Sequence, residues 1–302
     1  MQKHTYVVLA VAASALVLSA PGLVHADAPE PTYSVQETSN VQYGPLSDEV
    51  LDLYLPAGKT GASTAIVFIH GGAWTSGSKT EHSDIINWLA SRGYVVASIN
   101  YRLVQGEIEE VPPNPDETNI WPDQIVDAQL AVRWLRSNAT AYHVNKNRIC
   151  AMGQSAGGQL ALMLGMLSVN YPGDESAVLG NISPLANCVV DNSGPTDLDI
   201  MINGQIPYEI AGLLDSTASS SLDSASPIHY VTSTTSPIAI TDGVKDPHRP
   251  PGQPQNLIDV LNADSVPNTL ISYNGAHVFT GLTWKQTVGV LTKALQFIHA
   301  QF

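Results

Sequence analysis

Six short runs of β-branched and aromatic residues decide most of what this chain can fold into. They are TAIVFIH (64–70), YVVASINYR (94–102), RICAMG (148–153), CVVDNSG (188–194), SPIAITDG (236–243) and NTLISYNG (268–275). Each is nearly continuous in apolar residues, as a strand covered on both faces has to be. Between and after them lie segments with helical periodicity. These are HSDIINWLASRG (82–93), DQIVDAQLAVRWLRSNA (123–139), AGGQLALMLGML (156–167), PQNLIDVLNAD (254–264) and WKQTVGVLTKALQFIHAQF (284–302). Gly93 is placed to end the first of these helices. In the second, an amphipathic pattern offers Ile125, Leu130, Val132, Trp134 and Leu135 to a core. Strand–helix alternation of this kind predicts an α/β protein: a mostly parallel twisted sheet with helices on both faces. EVLDLYLP (49–56) alternates polar and apolar residues and reads as a half-buried edge strand. The stretch before it, APEPTYSVQETSNVQYGP (28–45), reads as a polar lead-in.

The chain has 302 residues, 44% of them hydrophobic, enough for one large core without a second domain or repeat. Lys and Arg number 13 against 27 Asp and Glu, a formal net charge of −14. An acidic surface repels nucleic acid and anionic lipid and argues against both as partners. The N-terminus has the order of a secretory signal: Lys3 and His4, the apolar stretch YVVLAVAASALVLSA (6–20), Pro21–Gly22, then VHA (24–26). Residues 1–26 are therefore expected to be a signal peptide cut after Ala26. Residues 27–302 would be a secreted or periplasmic catalytic domain with no membrane association after cleavage. Export permits a disulfide between Cys150 and Cys188; two buried thiols are the alternative. Neither cysteine has metal-ligand spacing to a histidine pair.

In an open α/β sheet, chemistry gathers just beyond the carboxyl ends of strands. The run GQSAG (153–157) puts Ser155 there, between a strand and a helix, with glycines two positions away on either side. Small residues at those places let a sharp strand-to-helix turn lift a serine oxygen clear of the sheet, over the helix N-terminus. The backbone N–H of Ala156 is then aimed where an oxyanion would form. A serine nucleophile needs a base and a group that orients it. His277, in YNGAHVF, is the late histidine that follows a strand; His70, His82, His143, His229 and His299 are less well placed. Asp246, in GVKDPH, is the favoured acid, with Asp242 as the alternative, and the chain order Ser155, Asp246, His277 suits this architecture. HGGAW (70–74) follows a buried strand, and Gly71, Gly72 or Ala73 could supply a second oxyanion donor.

With HGGAW, GYVVASINYR, AVRWLRSNA, MGQSAGG, GPTDL, GVKDP and GAHVF together, the chain resembles the α/β-hydrolase superfamily. Within it, the chain is similar to carboxylesterases related to hormone-sensitive lipase and to bacterial feruloyl and acetyl-xylan esterases of the BD-FAE type. The resemblance covers about residues 41–300. It implies an acyl-serine mechanism with Ser155, His277 and Asp246 as triad. Gly71, Gly72 and Ala156 would form the oxyanion hole, and His70 would orient its loop. No cofactor or metal is implied, and the substrate would be a small-molecule or glycan ester with a short acyl group. Ala73 replaces a third glycine, which leans toward the polysaccharide-esterase side. The few residues ahead of VQYG leave no room for a large cap domain. An acidic, proline-bearing expansion, QGEIEEVPPNPDETN (105–119), precedes Trp121, and Trp74 and Trp121 are expected at the substrate. The alternatives are a dipeptidyl-peptidase-like serine peptidase, for which no propeller domain is evident, and a non-catalytic binding protein on a hydrolase scaffold.

Overall fold

The computed structural model describes residues 32–105, 118–171, 179–202, 210, 213–214, 219–248 and 252–302. The expected signal peptide and most of the acidic expansion, residues 106–117, lie outside the described residues. Eight strands form one sheet: β1 (Ser34–Gln42), β2 (Val50–Ala57), β3 (Ser63–Ile69), β4 (Val95–Ile99), β5 (Val144–Gln154), β6 (Cys188–Asn192), β7 (Ile238–Gly243) and β8 (Asn268–Tyr273). Their spatial order is β1-β2-β4-β3-β5-β6-β7-β8. β1 and β2 run antiparallel, and every pairing from β4 through β8 is parallel.

Side chains alternate across each buried strand, and the two faces are covered by different helices. Ala65, Val67 and Ile69 of β3 join the core beneath α2 (Asp123–Ser137) and α3 (Ala156–Met166). Ile66 and Phe68 face the opposite core, with α1 (Ser83–Ser91) and α7 (Trp284–His299). Gly93 follows α1 at φ 93°, a conformation that accommodates glycine best. Thr283 and Gln286 form a reciprocal capping box at the start of α7. Other described helices include the short α4 (Leu198–Ile202) and α5 (Ser219–Ala225) and the longer α6 (Gln255–Ala263).

Two readings of the sequence need correction. The polar lead-in is a nine-residue strand, and it, not EVLDLYLP, occupies the sheet edge. β1 is largely exposed, so no apolar period marks it; main-chain pairing with β2 holds it in place. Helix α2 is not a surface helix with one wet face. Gln124, Asp127, Gln129 and Arg133 are as buried as its apolar side. Two of them bond chain that packs over the helix: Gln129 Nε2 donates to the Val169 carbonyl and Arg133 Nε to that of Ile182. Asp127 accepts from Arg102, although burial pushes its carboxyl up to about 6.

Cys150 and Cys188 sit directly opposite each other on β5 and β6, with Cα atoms 4.6 Å apart, and are joined as a disulfide. The bond closes a loop with a sequence separation of 38, a cross-link worth about 2–4 kcal/mol through the unfolded chain. It ties β5, the strand that leads into Ser155, to its neighbour.

Candidate active site

The order of strands reverses at β3: its successor in sequence, β4, lies on one side, and β5 lies on the other. Such a switch opens a crevice at the carboxyl ends of the central strands. Ile69 of β3 is in register with Gly153 of β5. The loops that follow, HGGAW and GQSAG, are therefore side by side from the start.

Ser155 stands at φ 53°, ψ −122°, between the end of β5 and the first residue of α3. That conformation is costly for a non-glycine residue and persists only where its surroundings enforce it. The enforcement is visible in the glycines. A Cβ on Gly153 would lie 1.9 Å from the Gly157 carbonyl oxygen. One on Gly157 would lie 2.2 Å from the Ile69 carbonyl oxygen. The Ser155 N–H donates to the Asn192 carbonyl at 2.9 Å, anchoring the turn to β6. Ala156 opens α3, so its N–H is among the first of a helix and has no intrahelical acceptor.

In the HGGAW loop, Gly71 passes so close that a Cβ there would lie 3.1 Å from Ser155 Cβ. Gly72, at φ 109°, turns the loop, and its carbonyl accepts from the Thr75 and Ser76 N–H groups. Ala73 and Trp74 reach the cavity wall. Trp74 is fully buried and donates its indole N–H to Gln159 Oε1 at 3.2 Å. His70 stacks on Tyr101 with ring centroids 4.4 Å apart, and its Nδ1 lies 2.6 Å from the Gly71 carbonyl oxygen. Burial lowers its pKa, so it supports the loop as a neutral ring.

His277 lies in the turn after β8, with Nδ1 2.6 Å from Asp246 Oδ2. Donation from Nδ1 leaves Nε2 as the basic nitrogen of the neutral ring. The Asp246 side chain is almost wholly enclosed. Burial pushes its carboxyl up, but the hydrogen bonds from His277 and the His248 N–H, with the nearby imidazoles, outweigh this and hold it below the usual range. Asp242 lies within β7 and also lines the cavity, but it is Asp246 that meets His277. Of the competing histidines, His229 pairs with Asp223 and His299 bonds Tyr94, both away from this cavity.

The Ser155 turn, Ala73 and Trp74 of the HGGAW loop and the His277–Asp246 pair meet at one cavity of about 210 Å³; Gly71 and Gly72 are not among its lining residues. Ser155, Ala156, Asp246 and His277 line it, together with Trp74, Met201, Ile240 and Pro254. Trp121 is not among the lining residues. It is buried in the core, where its indole N–H donates to Tyr171 Oη at 2.9 Å, and the hydroxyl in turn donates to the Ser224 carbonyl. The aromatic position before Pro122 thus serves packing. Sequence reading also passed over Asp191, Ser193, His248 and Tyr273. Asp191, Ser193 and Tyr273 sit at or just after strand ends, the signal that could have found them. Asp191 is wholly buried at the cavity; burial raises its pKa well above the usual range, against the Gly194 N–H bond and with Asp242 adding to it. His248 meets His277 edge-on, with centroids 5.1 Å apart. Among the described residues no group of three or more His, Cys, Asp or Glu side chains could hold a metal ion.

The BD-FAE family model matches residues 51–261. Esterase LipQ of Mycobacterium tuberculosis is 30% identical over 243 residues, 76% of this chain and 54% of that protein. Isoprenylcysteine alpha-carbonyl methylesterase ICME of Arabidopsis thaliana is 35% identical over 130 residues, 43% of this chain and 27% of that protein. The chain thus spans about half, or less, of the length of these curated relatives. A truncated form of a carbohydrate esterase from gut microbiota superposes with a TM-score of 0.71 at 29% identity, covering 88% of this chain and 98% of that one. The propionate-bound esterase Est2 of Thermogutta terrifontis shares the fold, with a TM-score of 0.69 at 24% identity over 88% and 94% of the two chains. By its sheet order, its strand-to-helix turn at Ser155 and this family match, the chain has the α/β-hydrolase fold and belongs to the BD-FAE family.

Proposed function

We propose that this chain is an exported serine hydrolase that cleaves short-chain carboxylic esters, acetyl groups on glycans among them. The observation that carries the reading is the meeting of a strained serine turn with a bonded His277–Asp246 pair in one cavity. Ser155 Oγ attacks the ester carbonyl while His277 Nε2 takes its proton. Asp246 holds the ring in the tautomer that can accept it and stabilises the imidazolium. The tetrahedral oxyanion is met by the Ala156 N–H and the amides of the Gly71–Gly72 loop. Collapse expels the alcohol, which leaves with the proton from His277, and the acyl group stays on Ser155. Water, deprotonated by His277, then releases the acid and restores the serine. The esterase names of the relatives support this chemistry, and the carbohydrate esterase among the structural neighbours supports a glycan ester. Export rests on the signal-like order of residues 1–26.

The size of the cavity supports a short acyl group. About 210 Å³ is below the roughly 300–1,000 Å³ of sites that enclose drug-sized ligands. This favours acetyl over feruloyl. On p-nitrophenyl esters from acetate to dodecanoate, kcat/KM is expected to be highest between acetate and butyrate. It should fall at least tenfold by octanoate. A maximum at octanoate or beyond would overturn the short-acyl assignment.

A further inference from the structure

The turn that carries His277 is an expensive piece of backbone. Val278 stands at φ 49°, ψ 57°, and Phe279 at φ 62°. A β-branched and an aromatic residue in succession in the left-handed region do not adopt it unaided. Two main-chain bonds close the turn: Ala276 N–H to the Thr280 carbonyl at 2.8 Å and Thr280 N–H to the His277 carbonyl at 3.0 Å. The side chain that holds it from within is Tyr273, the last residue of β8 and only 6% exposed. Its hydroxyl accepts the Phe279 N–H at 3.0 Å and donates to the Ala276 carbonyl at 3.2 Å. One oxygen thus ties together residues on both sides of His277. The ring packs on Phe279 with centroids 5.2 Å apart.

The main chain of the same residue holds the acid. The Tyr273 carbonyl accepts the Val244 N–H at 3.0 Å, and the Gly275 carbonyl accepts the Lys245 N–H at 2.9 Å. These bonds hook the loop that ends at Asp246 onto the root of the histidine turn. The two loops touch so closely that a Cβ on Gly243 would lie 2.4 Å from the Ala276 carbonyl oxygen.

We propose that Tyr273 is the positioning residue of the His277–Asp246 pair, its carbonyl setting the acid loop and its hydroxyl setting the histidine turn. The role rests on the ester-hydrolase reading of this site. Removing the hydroxyl leaves a buried N–H and a half-buried carbonyl without this partner, and the strained turn relaxes. A base displaced by a fraction of an ångström loses transition-state stabilisation more than it loses substrate binding.

The test compares Tyr273→Phe with Tyr94→Phe. The second removes another tyrosine hydroxyl from the same side of the sheet, one bonded to His299 and remote from the cavity. Both are assayed on p-nitrophenyl acetate below their melting transitions, with Ser155→Ala alongside. Tyr273→Phe is expected to lose at least tenfold in kcat with KM within twofold of wild type, and Tyr94→Phe to keep kcat within twofold. Wild-type kcat in Tyr273→Phe, a loss confined to KM, or an equal kcat loss in Tyr94→Phe would overturn the positioning role. Ser155→Ala separates the two readings: wild-type turnover in it would bring down the reading of this site as the ester-hydrolysing one. An inactive Ser155→Ala beside a normal Tyr273→Phe would remove only the positioning role.

Discussion

Replacing Ser155 by Ala is expected to lower kcat on p-nitrophenyl acetate by about 10⁴–10⁶-fold. Each factor of ten corresponds to about 1.4 kcal/mol of transition-state stabilisation. The fold should be unaffected, because alanine meets the same φ of 53° at this turn and removes one oxygen at the cavity. What remains in the variant would come from the oxyanion amides and the binding of the ester. The measurement is kcat for both proteins after matched purification, with circular dichroism to show equal folding. A folded Ser155→Ala protein that retains a tenth of the activity would place the nucleophile elsewhere.

The second large effect separates the two acids at the end of β7. Asp246→Asn is expected to cost about 10³–10⁴-fold in kcat, because an amide can neither hold the required imidazole tautomer nor stabilise the imidazolium. Asp242→Asn should cost less than tenfold, since it is Asp246 that bonds His277. Asp246 is also held below the usual carboxylate range and is therefore ionised throughout neutral pH, as a partner for an imidazolium must be. Steady-state kinetics on the two variants decides the matter. The reverse order of losses would transfer the acid role to Asp242.

That Ser155, Asp246 and His277 come to one cavity was more legible in the sequence than their surroundings, for a physical reason. Ser155, His277 and Asp246 stand in short loops directly after strands, and an α/β sheet brings those loops to one edge whatever the details of packing. The glycines around Ser155 could be read because a turn that sharp forbids a Cβ, as the 1.9 Å approach at Gly153 shows. Features set by register or by a neighbour's surface were not legible. β1 carries no apolar period because both its faces are largely exposed. The polar face of α2 suggested solvent, but Gln129 and Arg133 on it are buried and donate to the Val169 and Ile182 carbonyls. Whether Cys150 and Cys188 join depended on a one-to-one register between β5 and β6 that no pattern within either strand encodes. Trp121 looked like a pocket residue from its place after the acidic expansion, and its hydrogen bond to Tyr171 shows it serving the core. Tyr273 reads in sequence as an ordinary strand-end aromatic. Its importance arises only when the chain turns back and brings Ala276 and Phe279 onto its hydroxyl.

The central claim is that acyl transfer passes through Ser155, and covalent capture tests it most directly. The protein is incubated with diethyl p-nitrophenyl phosphate, whose phosphoryl group stays on an activated serine oxygen after p-nitrophenolate leaves. Intact mass and peptide mapping then locate the adduct. One diethylphosphoryl group per chain is expected, on the peptide that contains Ser155, with p-nitrophenolate released in equal amount and esterase activity lost in step. Ser155→Ala should take up none. An unmodified wild-type protein, or an adduct on any other residue, would contradict the account.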